Sequence, residues 1–409
     1  EWIGQVPEHW KVARVKRLAS LRNERRNDVS TDTIYIGLED VEAGSGQYKP
    51  TNGSSRQSED STVGIFYEGD VLYGKLRPYL RKAIISEMAG CCSTEFLVLR
   101  AEKTEPRWLQ EWLLTPDVTH QIVSGCEGAK MPRADWGHIG SIEVVYPDQP
   151  EQAKILTSLD RETARIDALI EKKTRFIELL NEKRQALITH AVTKGLDPNV
   201  KMKDSGIEWI GQVPEHWKVA RVKRLASLRN ERRNDVSTDT IYIGLEDVEA
   251  GSGQYKPTNG SSRQSEDSTV GIFYEGDVLY GKLRPYLRKA IISEMAGCCS
   301  TEFLVLRAEK TEPRWLQEWL LTPDVTHQIV SGCEGAKMPR ADWGHIGSIE
   351  VVYPDQPEQA KILTSLDRET ARIDALISKA EQSITLLKER RAAFITAAVT
   401  GQIDLRGKQ

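Results

Sequence analysis

Glu1–Ile170 recurs letter for letter as Glu208–Ile377, an offset of 207 residues in a chain of 409. Solenoid repeats recur roughly every 20–50 residues, so a repeat of this length is a whole domain used twice. Past Ile170 and Ile377 the copies diverge, EKKTRFIELLNEKRQALITHAVTKGLDPNV against SKAEQSITLLKERRAAFITAAVTGQIDLRGKQ, yet they keep the same pattern of residue types. KMKDSGI (Lys201–Ile207) leads into the second copy, and the same segment is expected ahead of Glu1. Two identical heads in one chain predict a pseudo-two-fold molecule.

One copy reads in two parts. Residues 1–150 carry short β-type runs at Thr33–Gly37, Val71–Tyr73, Ala83–Ile85, Glu95–Leu99 and Ile142–Tyr146. Gly, Pro, Ser and Asn cluster between them, as in EAGSGQYKPTNGSS at 42–55. Helices are expected at Arg107–Leu114 and Pro116–Val123. The reading is a mixed α/β domain, repeated at 208–357.

Residues 151–193 differ in kind. No Gly or Pro interrupts Glu151–Val192. Leu159, Ile166, Leu180 and Leu187 share one heptad column, with Lys173 in the gap. Leu169 and Phe176 form a second column, Ile170 and Ile177 a third. The second copy repeats the first column at Leu366, Ile373, Ala380, Leu387 and Phe394, within 358–400. These columns predict two long helices that pair as a coiled coil. A helix of about 40 residues spans roughly 60 Å at 1.5 Å per residue.

The linker at 194–207 reaches at most about 50 Å when fully extended. It cannot comfortably return along such a helix. The second head should therefore begin at the far end of the first helix, and the second helix should run back antiparallel to the first. Two identical heads on a two-fold axis match the backbone symmetry of B-DNA, and so an inverted-repeat site.

The densest basic element of the head is Lys75, Arg77, Arg81 and Lys82, with Tyr79 interleaved. Arg22 and Arg25 lie in a second cluster, and Lys130 and Arg133 in the loop GAKMPRADWG. Gln47 and Asn52 occupy the polar 42–60 loop, where amide side chains suit adenine as Arg and Lys suit guanine. The second copy repeats these candidates at Arg229, Arg232, Gln254, Asn259, Lys282, Arg284, Tyr286, Arg288, Lys289, Lys337 and Arg340. The bland alternative is a solvated basic surface.

Other residue types read as structural. Cys91, Cys92 and Cys126 lack the paired spacing of zinc modules, so buried thiols are expected and no metal. Trp2, Trp10, Trp108, Trp112 and Trp136 suit packing better than a stacking platform. Glu39 and Asp40 are adjacent, which would put them on opposite faces of a strand. No Walker lysine, H-E-x-x-H or G-x-S-x-G occurs. No run of eighteen apolar residues occurs, and six Cys do not make a disulfide framework, so a reducing, cytoplasmic setting without a membrane is expected. The net charge of -4 argues against a tail-type basic binder, but leaves room for a local cationic face.

Several motifs, in order, resemble the specificity (S) subunit of type I restriction–modification systems. They are IEWIGQVPEHW (207–217), GDVLYGKLRPYLRKA (69–83), STEFLVLRA (93–101), PRADWGHIGSIEVVYPDQPEQAKI (132–155) and the helix ends LLNEKRQALITHAVTKGLD (179–197) and LLKERRAAFITAAVTGQID (386–404). The resemblance covers essentially the whole chain, twice. It implies two target recognition domains, 1–150 and 208–357, each reading half of a split double-stranded DNA target. It implies conserved helices at 151–193 and 358–400 that set the spacer and bind two modification subunits. Those partners would hold S-adenosylmethionine and methylate adenine N6, and restriction subunits would join in the full complex. This chain would carry no cofactor and no catalysis of its own, and it holds none of the adenine methyltransferase or helicase motifs.

One departure from the family pattern matters. Its members usually carry two different recognition domains, whereas these are identical, which predicts a palindromic split target. Two alternatives of other classes remain at this point: a coiled-coil scaffold with duplicated heads and no DNA, and an autonomous nuclease, for which no catalytic constellation is visible.

Overall fold

The computed structural model describes residues 2–51, 61–126, 130–258, 268–333, 337–403 and 405. The chain divides into two compact units, Glu1–Thr174 with Glu381–Gln409, and Arg175–Ala380. Each unit therefore holds one head, the first half of the long helix that follows it, and the second half of the other long helix.

In the first unit the head comprises β1 (Lys11–Arg14), β2 (Ala19–Leu21), β3 (Arg25–Arg26), β4 (Tyr35–Ile36), β5 (Val63–Phe66), β6 (Val71–Gly74), β7 (Ala83–Ile85), β8 (Gly90–Cys92), β9 (Phe96–Ala101) and β10 (Glu143–Tyr146). Its helices are α1 (Pro106–Leu114), α2 (Pro116–Ser124) and α3 (Trp136–Ser141), and α4 (Gln149–Lys194) follows. One four-stranded sheet runs β2-β9-β6-β7, all antiparallel. The other runs β3-β5-β8-β4, with β4 and β8 parallel. β1 and β10 pair antiparallel and close the head.

The period of two along a strand explains the layering. Val71, Tyr73, Ala83, Leu97 and Leu99 pack in one cluster with Trp112, Leu113, Val118 and Ile139 of the helices. The intervening Leu72, Ile84 and Val98 pack in another with Ile36, Phe66 and Cys92 of the second sheet. The β2-β9-β6-β7 sheet is thus buried on both faces, which is why VLYG is a continuous apolar run and not an alternating one. At the end of α1, Thr115 is extended ahead of Pro116, so one helix stops and the next starts on a single residue.

The expected helices and most of the expected strands form within a residue or two. Thr33–Gly37 narrows to Tyr35–Ile36. Glu39 and Asp40 are not in a strand: they lie in a one-turn 3-10 helix, Leu38–Asp40. There the buried Asp40 carboxylate accepts from the Gly37 and Thr51 amides at 2.8 and 2.9 Å, so it is a turn-forming group.

The head meets its long helix through EQ at the helix start. Glu151 accepts from Trp10 Nε1 at 3.2 Å and pairs with His9 Nε2 at 2.7 Å. Gln152, fully buried, accepts from Thr104 Oγ1 and the Glu105 amide, both at 2.9 Å, and donates to Pro147 O at 3.0 Å. Trp10 and Trp108, edge to face at 5.6 Å, then pack with Ile155, Leu156, Leu159, Ala398 and Val399. Asp167 accepts from Arg391 Nε at 2.9 Å. As numbers rise along one helix they fall along the other, so the paired segments are antiparallel within this unit.

In the second unit the head repeats the same elements from Lys218–Arg221 to Glu350–Tyr353, and the second long helix spans Gln356–Val399. Trp217 and Trp315 pack with Ile188, Ala191, Val192, Ile362 and Leu366, and Arg184 donates to Asp374 at 2.9 Å. β11 (Met202–Asp204) and β12 (Gln212–Pro214) add a two-stranded antiparallel sheet from the linker.

Of the expected seam residues, Leu159, Ile166, Leu180, Leu366 and Ile373 are buried, and Leu187, Leu387 and Phe394 are half-buried. The second column differs: Leu169 and Phe176 are exposed, because a two-helix contact buries only a narrow stripe. Among the described residues no helix is long and apolar enough to cross a membrane.

Candidate nucleic-acid interface

The loop between β6 and β7 is GKLRPYLRK. Pro78 opens a one-turn 3-10 helix, Pro78–Leu80. The residues on either side, Arg77 and Arg81, both take left-handed backbone conformations, with φ of 52° and 50°. Together with Arg284 and Arg288 they are the non-glycine residues with positive φ among the described residues. Each costs roughly 1–2 kcal/mol relative to an ordinary conformation. Backbone hydrogen bonds hold the loop: Leu80 N to Arg77 O, Arg81 N to Pro78 O and Gly74 N to Lys82 O, each 2.9 Å.

A second loop is stitched to the first. Arg77 N donates to Pro132 O at 2.9 Å, Ala134 N to Lys75 O at 2.8 Å, and Leu76 bridges Arg133 in antiparallel fashion. Residues 74–82 and 130–133 contain no acid. Arg77 and Lys130 are exposed and Lys75 is half-buried, and none of the three side chains has a partner among the described residues. Arg133 is held in a two-pronged pair with Glu95, at 3.2 and 3.0 Å. Tyr79 is 50 % exposed and Met131 56 %. This tip joins unpaired cations to exposed aromatic and thioether groups. Such a surface suits a polyanion whose grooves also offer apolar edges.

Other candidates are engaged in the fold. Arg22 grips the buried Asp70 through Nε and Nη2 at 2.8 and 3.1 Å and lies 4.6 Å over the Tyr67 ring. The Asp70 hydrogen bond raises its pKa further above the ordinary arginine value. Lys82 donates to Leu38 O at 2.7 Å. Arg81 donates to Leu114 O at 3.4 Å and lines a cavity with Lys388, Arg391 and Ala392 of its unit, so it faces the helix seat. These three side chains already have partners within the fold, unlike Lys75, Arg77 and Lys130.

Gln47 is exposed, on a loop bound to the β7 side of the head through Gly44 N to Arg81 O and Gln110 Nε2 to Gly46 O. Arg25 is exposed on β3, in the other sheet. Asn52 and its copy Asn259 lie outside the described residues.

The second head repeats this arrangement. Arg284 and Arg288 have φ of 52° and 50°, Arg340 pairs with Glu302, Arg229 with Asp277, and Lys289 with Leu245 O. Arg232 and Gln254 are exposed, as are Tyr286 and Lys337, and Lys282 is half-buried. Met131 and Met338 were absent from the sequence-based candidates. The available signal was a Met between Lys and Pro in an otherwise polar loop. Trp10 and Trp108 are buried at the helix seat, Trp112 is buried in the head core, and Trp2 and Trp136 are half-buried against that head core.

No family model matches the chain. The specificity subunit of the type I restriction enzyme EcoDI from Escherichia coli is 21 % identical over 346 residues, covering 81 % of this chain and 74 % of that protein. A chain from a structural study of complex assembly and conformational transition of the type I R-M system aligns with a TM-score of 0.72 at 17 % identity. That alignment covers 98 % of this chain and 100 % of the other. The HsdS subunit from Thermoanaerobacter tengcongensis aligns with a TM-score of 0.54 at 19 % identity, over 98 % of each chain. The fold, two sheet-rich domains joined by a long helix with a second long helix at the C-terminal end, is that of these structures. The resemblance carried by the sequence motifs is the one the comparisons return.

Proposed function

We propose that this chain is the DNA-recognition subunit of a type I restriction–modification complex, acting in the cytoplasm. The observation that carries the reading is the likeness to specificity subunits along nearly the whole chain, joined to a cationic tip that recurs on both heads. Each head reads one half of a split target, with its tip in a groove. Phosphate contacts from Lys75, Lys130 and their copies supply sequence-independent affinity that falls with salt. Because the heads are identical, the half-sites are identical. Read as an inverted pair, those half-sites make the target palindromic.

The helices take the partners. Leu169 and Leu386 are exposed in the first unit, and Phe176, Leu179 and Leu376 in the second. Large apolar side chains left open on a helix suit a protein surface better than water. Two modification subunits dock there, bring S-adenosylmethionine and methylate adenine N6, and restriction subunits join the complete assembly. The chain supplies placement and no catalytic group.

Sequencing the methylated motif of cells that express this chain with its modification partner tests the reading. Two inverted copies of one half-site are expected. Two unlike half-sites would remove the palindromic reading, and no methylation at all would remove the recognition role.

A further inference from the structure

We infer that Arg77, with its copy Arg284, is the residue through which each head reads a base edge, a guanine in the major groove. The inference rests on the DNA reading above and deepens it. Several observations on one residue carry it. Arg77 holds a left-handed backbone that glycine adopts without strain, so the arginine is kept against conformational preference. Its side chain is exposed and repays that strain with no ion pair or hydrogen bond among the described residues. Its companion Arg81, equally left-handed, does have a use inside the fold, at Leu114 O.

The backbone under Arg77 is also fixed from two sides. Its amide donates to Pro132 O and its carbonyl accepts from Leu80 N, each at 2.9 Å. A phosphate contact needs no such fixed direction, since flexible lysines such as Lys75 and Lys130 serve. A two-pronged bond to guanine O6 and N7 is made best by a planar fork presented at a set angle.

The test uses the full chain on a randomised duplex DNA library, with bound sequences read out and thermal unfolding followed in parallel. Variants change both heads together: Arg77→Gly with Arg284→Gly, and Arg77→Lys with Arg284→Lys. The wild-type chain is expected to select a motif with a G·C pair at one position of each half-site. In the glycine variant the preference at that position should fall roughly 5- to 150-fold, and in the lysine variant by less. The glycine variant should melt at the wild-type temperature or above. The lysine variant should keep most non-specific affinity and part of the preference, since an ammonium reaches guanine without the planar fork. An unchanged motif in the glycine variant, or uniform weakening with the preference intact, overturns the guanine contact alone. A lowered melting temperature in the glycine variant would assign Arg77 to the fold. If the wild-type chain selects no motif, the DNA reading itself fails.

Discussion

The two units set identical heads on unlike seats. In the second unit Lys194, near the end of its helix half, donates to Ile210 O at 3.0 Å and to Gln212 O. In the first unit the equivalent carbonyls, of Ile3 and Gln5, accept from Gln402 Nε2 at 3.0 and 3.1 Å. Lys194, the last residue of α4, and Gln402, past the end of the second long helix, thus reach equivalent acceptors. The other contact is not matched: Arg288 donates to Gln185 at 3.1 Å, while Arg81 has Ala392 beside it. What the units share is a pair of carbonyls beside the Trp pocket, reached in each unit by a different donor.

The largest test of equivalence is the buried Trp of each seat. Trp108→Ala and Trp315→Ala should each destabilise their unit by about 3–5 kcal/mol, as large-to-small core changes do. Equal losses in denaturant unfolding would make the two seats equivalent. A gap above roughly 1 kcal/mol would show that residues 381–399 and 175–194 hold their heads unequally.

A smaller effect should strike both heads alike. Burial pushes the Cys92 and Cys299 thiols up to about 12, from 9.0, and Tyr73 and Tyr280 upward too. Above pH 9 the folded thiol keeps a proton that the unfolded chain has lost. Stability is therefore full below pH 9 and declines as pH rises toward 12. At pH 10 the loss should be about 1–2 kcal/mol per head. Thermal midpoints at pH 7 and 10 should show it, and Cys92→Ala should reduce the pH-dependent part in the first head alone.

The smallest effect sharpens the comparison most. Lys194→Met and Gln402→Leu each remove a donor to two carbonyls, and each should cost about 1 kcal/mol. Thermal midpoints that fall by the same amount would support interchangeable donors. A loss in one unit alone would show that only that donor matters.

Much of this was legible in the sequence. The repeat and the helices follow from spacing alone, since Glu151–Val192 contains nothing that breaks a helix. The second sheet was only half legible. β3 and β4 are two residues long, too short for any periodicity to show. For the site, composition pointed to the right loops but could not sort their cations. Arg22 and Asp70 are 48 positions apart, so their pairing leaves no local pattern. Nor does an arginine announce a left-handed backbone as a glycine would.

The division of the helices has a consequence for synthesis. The second unit is one continuous stretch, Arg175–Ala380, while the first needs Glu381–Gln409 to complete its seat. A ribosome releases chain from the N-terminal end. The first head therefore emerges earliest yet waits longest, with Trp10 and Trp108 uncovered until Ala398 and Val399 arrive. The later-made unit can close first. During that interval the waiting seat is open to a helix end from another nascent copy, so swapping between chains is a hazard built into this order of manufacture.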